Sequence, residues 1–285
     1  MGRRTTVFLL VLVLGLGAYI WLVERRAPSV DDERAAARRA VRFDPATVRR
    51  VTVLSGGNEV TAELDGTTWS LIRPVAARAD AGQIQALIDE LAALERAAFI
   101  TARERRDQKL TDEVDGLDVP RARVLLEAAG GPVAVRIGGD VPVGGMLFLQ
   151  REGQEDVVVV PTNLLAALPR AASDWRDRRL LSAPAGPLAR LEVRRSDGFL
   201  QLARAPGGEW RLQKPVSGRA DGAAVEAWLQ SLFAVAVEDF VADSVAGAAL
   251  YGLDEPQAQA VLTGSGTDGE QVLLPENMPG EEMRE

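Results

Sequence analysis

Asp112, Glu113, Asp115 and Asp118 crowd into the stretch "TDEVDGLD", the densest set of carboxylates in the chain. Such oxygens could ligate calcium. Their spacing lacks the D-x-[DN]-x-[DN]-G order of a calcium loop, and the phrase returns near residue 252 as "GAALYGLD", which keeps only Asp254 of the acids. The reading adopted is a solvated acidic turn. Arg-Ala-Asp occurs at 78–80 and again at 219–221, a guanidinium and a carboxylate that could hold a ligand. Asp80 and Asp221 each stand just before a helical pattern, so helix capping with an ion pair explains them better. "GGDVPVGG" and "GSGTDGE" are rich in glycine, but they fall between strands. A phosphate loop instead opens a helix, so hairpin turns are expected.

The chain contains neither histidine nor cysteine. It therefore lacks the usual base near neutral pH, a thiolate nucleophile, and the commonest zinc ligands. A serine nucleophile would need a base, and no Ser-x-x-Lys arrangement supplies one. No cofactor or metal is expected. With 33 Lys and Arg against 41 Asp and Glu, the net charge of -8 disfavours nucleic acid as a partner. Hydrophobic residues make up 47% of 285, enough for one large core or two modest ones.

The elements that hold these residues come in two copies. "WSLIRPVAARADAGQIQALIDEL" from Trp69 aligns without a gap to "WRLQKPVSGRADGAAVEAWLQSL" from Trp210, at an offset of 141. Upstream, "VRRVTV" at 48–53 matches "LARLEV" at 188–193; downstream, "GLDVPRARVLL" at 116–126 matches "GLDEPQAQAVL" at 252–262. Similarity that preserves order indicates a duplicated module. Alternation at 48–54 and 58–64 predicts two strands, and Trp69 sits on a third that Pro74 ends. Asp80 caps a helix, with Gln83 completing a capping box. Ile84, Leu87, Ile88, Leu91 and Leu94 then form one apolar stripe, repeated by Val225, Trp228, Leu229 and Leu232 behind Asp221. About three antiparallel strands with this helix across them would bury both apolar faces. Trp69 and Trp210 are expected to pack strand onto helix.

The GLD-x-P phrase reads as a joint from helix to strand. Short helices are expected at "DQKLTDEV" and "VAGAAL". Gly116 and Gly252 suit the left-handed position after them, and Leu117 and Leu253 the contact that accompanies such a cap. Asp118 and Asp254 can accept from nearby backbone, and Pro120 and Pro256 stop the helix resuming. After the first joint, strands at 133–137, 146–150 and 157–160 and a short helix at "NLLAALP" complete that copy.

The strand–Trp–Pro-Val–helix unit, "GLDVPRARVLL", "VRIGGD", "DWRDRRLL" and the apolar amino terminus together resemble a bacterial family, domain of unknown function 4340. The resemblance covers roughly residues 40–285. It implies a membrane-anchored envelope protein, some members being similar in setting to components beside ABC-type transporters for gliding or export. It brings no catalytic residues.

The amino terminus carries the location. Arg3 and Arg4 precede the uncharged run Val7–Val23, 17 residues that as a helix roughly span a bilayer core. The bulky "YIWLV" end offers no signal-peptidase site, so an uncleaved anchor is expected, with the chain beyond it outside the cytoplasm. The fold class expected is α+β: a cytoplasmic tail and transmembrane anchor at 1–23, a charged stem at 24–42, a first repeat at 43–172, a linker at 173–187, a shortened second repeat at 188–275 and a disordered acidic tail at 276–285. The functional expectation is a non-catalytic scaffold or binding subunit in the bacterial inner membrane, with an ABC-type transporter or other envelope protein as partner. A small-ligand or glycan-binding module is the alternative, and a carboxylate-dependent hydrolase a third reading. Because the second copy offers only Gln271–Leu274 after Leu262, an exposed or partner-covered sheet edge is expected there.

Overall fold

A computed structural model describes residues 38–142, 144–181, 186–243, 247–254, 256–264 and 270–272. The anchor, residues 24–37 of the stem and the acidic tail lie outside the described residues. Among the described residues, no helix is long and apolar enough to cross a membrane. The chain divides into two compact units between Arg176 and Asp177.

In the first unit the described strands form one antiparallel sheet, ordered β4-β3-β2-β1-β6-β7-β8-β9-β5. These are β1 (Arg50–Ser55), β2 (Asn58–Asp65), β3 (Thr68–Arg73), β4 (Ala77–Arg78), β5 (Ala98–Ile100), β6 (Ala122–Ala128), β7 (Gly131–Asp140), β8 (Met146–Arg151) and β9 (Val157–Pro161). The strands expected at 133–137, 146–150 and 157–160 extend the three-stranded core of the module into one continuous sheet. Alternation dictates its buried face: Val51 and Val53, Val60 and Ala62, Trp69 and Leu71, Val124 and Leu126, and Val133, Val135 and Ile137 share one core. Helix α1 (Ala81–Ala93) lays Ile84, Leu87, Ile88 and Leu91 into that core. Asp80 starts it, accepting from the Gly82 and Gln83 N–H groups at 2.9 and 3.2 Å.

Two local expectations need correction. The helix expected at "DQKLTDEV" is two short helices, α2 (Ala102–Asp107) and α3 (Asp112–Asp115). Thr101 and Glu104 form a capping box that begins α2 early, and Lys109 takes a left-handed φ of 57° that breaks the run. The linker expected at 173–187 is not free of the first core. Helix α4 (Leu164–Ala167) is followed by a segment that returns across the unit, and Trp175 is 1% exposed within the core.

Among the described residues the second unit repeats the arrangement in fewer strands, ordered β13-β12-β11-β10-β14-β15. They are β10 (Leu188–Arg195), β11 (Gly198–Arg204), β12 (Trp210–Lys214), β13 (Gly218–Arg219), β14 (Ala258–Gly264) and β15 (Glu270–Val272), with helix α5 (Gly222–Phe233) after β13. Even the irregularities recur. Register shifts between Thr61 and Ala62 in β2 and between Gln201 and Leu202 in β11, positions that correspond. The Ala79 N–H donates to Trp69 O at 3.2 Å, and the Ala220 N–H to Trp210 O at 3.3 Å. Strand β15 pairs with β14 through Val261↔Val272, Leu262↔Gln271 and Thr263↔Glu270, and lies at the sheet's edge among the described residues.

Candidate functional site

The acidic stretch is the first place to test for chemistry, and its acids are not merely solvated. Asp115 is fully buried and receives Arg105 twice, from Nε at 3.2 Å and Nη2 at 2.8 Å. Arg105 also donates to Asp112 at 2.9 Å and to the Glu155 carbonyl at 3.2 Å. Burial pushes the Arg105 pKa down, but the bonds to Asp112 and Asp115 outweigh it and hold the guanidinium above its ordinary value. Helices α2 and α3 fold back on each other, so a cation ten residues upstream meets the acid. Arg136 on β7 extends the cluster to Asp112, the Leu117 carbonyl and Gln150.

The glycines explain how the joint closes. Gly116 follows α3 with φ +66°, and a Cβ there would lie 2.8 Å from the Gly139 nitrogen. A Cβ on Gly138 would lie 2.4 Å from the Asp115 carbonyl oxygen. "GLD" and "IGGD" are therefore two halves of one close contact between the end of α3 and β7. Gly138 and Gly139 lie within the strand at a register irregularity, rather than in the hairpin turn expected of them. Leu117 is buried beside Phe148, Val157 and Val159, and Asp118 accepts from the Val119 N–H at 2.7 Å ahead of Pro120. At Gly252, φ is +67° but a Cβ would meet open space, and Leu253 before Pro256 is 44% exposed. Leu253 is thus far more open than Leu117, which is 0% exposed.

Beside the first joint lies a cleft of about 340 Å³, lined by Asp118, Arg123, Arg136 and Glu152 among others. Arg123 and Glu152 satisfy each other at 2.6 Å, so its charges are largely spent on the fold. Among the described residues no acidic group is arranged to hold a metal ion.

The second unit carries a different feature, a groove of about 710 Å³ on the apolar side of its sheet. Leu191 and Val193 of β10, Leu200 and Leu202 of β11, and Val225 and Trp228 of α5 line it. Leu200 is 37% and Trp228 40% exposed, whereas their counterparts Val60 and Leu87 are 2% and 0% exposed. Trp228, expected in the buried stripe, is thus half open. Trp210 does pack strand onto helix: its ring is 4% exposed and its Nε1–H donates to Glu226 at 2.8 Å. Arg204 stacks 4.9 Å from the same ring and pairs with Glu226. Asp221 caps α5 through the Ala224 N–H at 3.1 Å. The groove had a sequence signal: the buried Val60 and Leu87 of the first copy are replaced by larger residues, Leu200 and Trp228.

No curated protein and no solved structure matches the chain. A family described as domain of unknown function (DUF4340) matches residues 69–256, from the first core tryptophan to the proline of the second joint. That span includes both the glycine joint and the open groove, and the chain belongs to the DUF4340 family.

Proposed function

We propose that the protein is a non-catalytic binding subunit of a bacterial envelope complex, held in the inner membrane by Val7–Val23 and presenting its two sheet units outside the cytoplasm. The observation that carries the binding role is the open apolar groove of the second unit, where Leu200 and Trp228 leave apolar surface to solvent that the first unit buries. A contiguous apolar patch of this kind marks an interaction surface. The polar clusters support the same reading, because Arg105, Asp115, Arg123 and Glu152 bind one another. A membrane-embedded transporter of the ABC type is the class of complex the family resemblance suggests.

The test is photocrosslinking from position 228 in native membranes, with the amino terminus intact. A transporter subunit recovered reproducibly supports the proposal; adducts with lipid alone overturn it. Location is tested separately. A reporter after Glu285 should behave as extracytoplasmic, and the protein should resist carbonate extraction. A cytoplasmic reporter would reverse the orientation, and a mature terminus near Ala27 would replace the anchor with a cleaved signal.

A further inference from the structure

The two sheets bury the same face but differ on the outer one, and the strand register compares them position by position. In the first unit one row across the outer face reads Arg78, Ser70, Glu63, Arg50 and Glu127, from β4 to β6. Its charges bind one another: Arg50 reaches Glu63 at 2.9 Å and Glu127 at 3.0 Å. On the same face Arg73 reaches Glu59 at 3.3 Å. The corresponding row of the second unit reads Arg219, Arg211, Ala203, Arg190 and Thr263. Both acids have become neutral residues, while the cation between them is kept as Arg190. Phe199 likewise stands in place of Glu59, Lys214 keeps the charge of Arg73, and Arg194 replaces Leu54.

The outcome is a cationic face whose charges are not compensated. Arg190, Arg194, Arg211, Lys214 and Arg219 are all exposed there, with one acid, Glu192, 3.5 Å from Arg190 and 3.9 Å from Arg194. Among the described residues, no acid pairs with Arg211, Lys214 or Arg219. Arg211 and Arg219 stand directly opposite each other on β12 and β13, an arrangement that costs a sheet stability. An anionic surface laid on this face would relieve that repulsion. We propose that the face docks on the phosphate headgroups of an anionic phospholipid bilayer, with Arg211 and Arg219 at the contact. This rests on the reading of Val7–Val23 as a membrane anchor and adds which surface of the chain meets the bilayer. Headgroups attract basic residues through charge alone, which is what the face offers. The net charge of -8 does not oppose this, because acids farther than a Debye length of about 8 Å from the bilayer are screened. An acidic polypeptide is a poorer occupant. A protein interface needs a desolvated apolar centre, and the apolar side chains here are the small Ala203 and Phe199, whose ring lies under the Arg194 guanidinium at 5.5 Å.

Because the chain has no cysteine, Ser217→Cys in the turn between β12 and β13 takes a single fluorophore. The full chain is reconstituted in phosphatidylcholine vesicles with or without phosphatidylglycerol, and quenching by nitroxide-labelled headgroups reads contact. Phosphatidylglycerol should raise the quenching, and salt should reverse it. Arg211→Gln and Arg219→Gln should each lower the ratio of docked to undocked chains about fivefold, the scale of one basic residue at an anionic surface. The melting temperature in detergent should hold, since the two side chains are exposed and oppose each other. Arg73→Gln, which removes an equal charge from the first unit, should leave the quenching unchanged. Quenching that ignores phosphatidylglycerol, or that survives the double variant, overturns the proposal. So does an equal loss in Arg73→Gln, which would make net charge the cause. A response seen only after removal of residues 273–285 would give the face to the chain's own tail. Crosslinking from position 217 to an acidic protein, abolished by the double variant, would give it to a polypeptide; either result overturns lipid docking. A chain that resists carbonate extraction from the vesicles but shows no response sinks this inference alone. A chain that carbonate removes sinks the anchored reading.

Discussion

Replacing Asp115 by alanine should cut deeply into the first unit and spare the second. Asp115 is fully buried, and Arg105, 9% exposed, would lose two hydrogen bonds to it. Breaking a buried pair by removing one partner costs about 3–5 kcal/mol, because the remaining charge is left in a poor solvent. Two features set the expected value at the lower end. Arg105 keeps Asp112 and the Glu155 carbonyl as partners, and Asp115 Oδ1 already lacks one, so the native pair is not fully satisfied. A loss of about 3 kcal/mol corresponds to a fall of about 6–12 °C in melting temperature. Calorimetry on the full chain measures that fall, and hydrogen exchange read by mass spectrometry assigns it to peptides of either unit. Asp112→Ala is the control. Its carboxylate is 41% exposed, so it should cost about 1 kcal/mol or less. Replacing both partners, Arg105→Met with Asp115→Leu, should recover most of the loss. If Asp115→Ala matches Asp112→Ala, or lowers protection equally in both units, the buried ion pair is not what holds α2 and α3 to the sheet.

The paired glycines separate backbone strain from close approach. Gly116→Ala and Gly252→Ala should share a left-handed penalty of about 1–2 kcal/mol, while Gly116→Ala should cost about 1–3 kcal/mol more because its Cβ meets β7; equal losses in chemical denaturation would refute the contact. Trp69→Ala and Trp210→Ala should each cost about 3–5 kcal/mol, whereas Trp228→Ala, 40% exposed, should cost much less in the same assay. Glu104 is held below the ordinary carboxylate range by hydrogen bonds from the Thr101 backbone and hydroxyl, and Asp140 by its bond from Arg121. Both carboxyls titrate lower folded than unfolded, so their stabilisation is full above about pH 5 and disappears as pH falls through the folded values. Melts between pH 7 and 3 should show Glu104→Gln losing less than the native chain, and a steeper loss in the variant would contradict the assignment.

Much of the architecture was legible because local rules and tertiary demands agree in it. Alternation at Val51 and Val53 marks a strand that the sheet uses. Asp80 and Asp221 cap the helices their spacing announces, and Gly116 and Gly252 both take the left-handed turn the phrase requires. These are properties of a few consecutive residues, and duplication wrote each of them twice. Lys109 shows where local reading stops. The helical pattern around it is continuous, yet its positive φ splits α2 from α3 and turns the two helices toward each other.

Pairings across distance were decided only by the folded chain. No spacing rule says that Arg105 will find Asp115 rather than water, since that needs the α2–α3 reversal and the sheet beneath it. Nor does "IGGD" reveal that its glycines make room for the Asp115 carbonyl, because the contact joins segments more than twenty residues apart. Trp228 gives the sharpest case. Its helical spacing matches that of Leu87, but a stripe states only which face is apolar. Whether that face is buried depends on what lies over it, and in the first unit the cover is Leu164 and Trp175, brought back from far along the chain. The sequence alone thus determined the duplication, the strand alternation and the caps. The tertiary structure decided which charges are buried and which apolar face stays open, because burial belongs to the surroundings a side chain meets and not to the side chain itself.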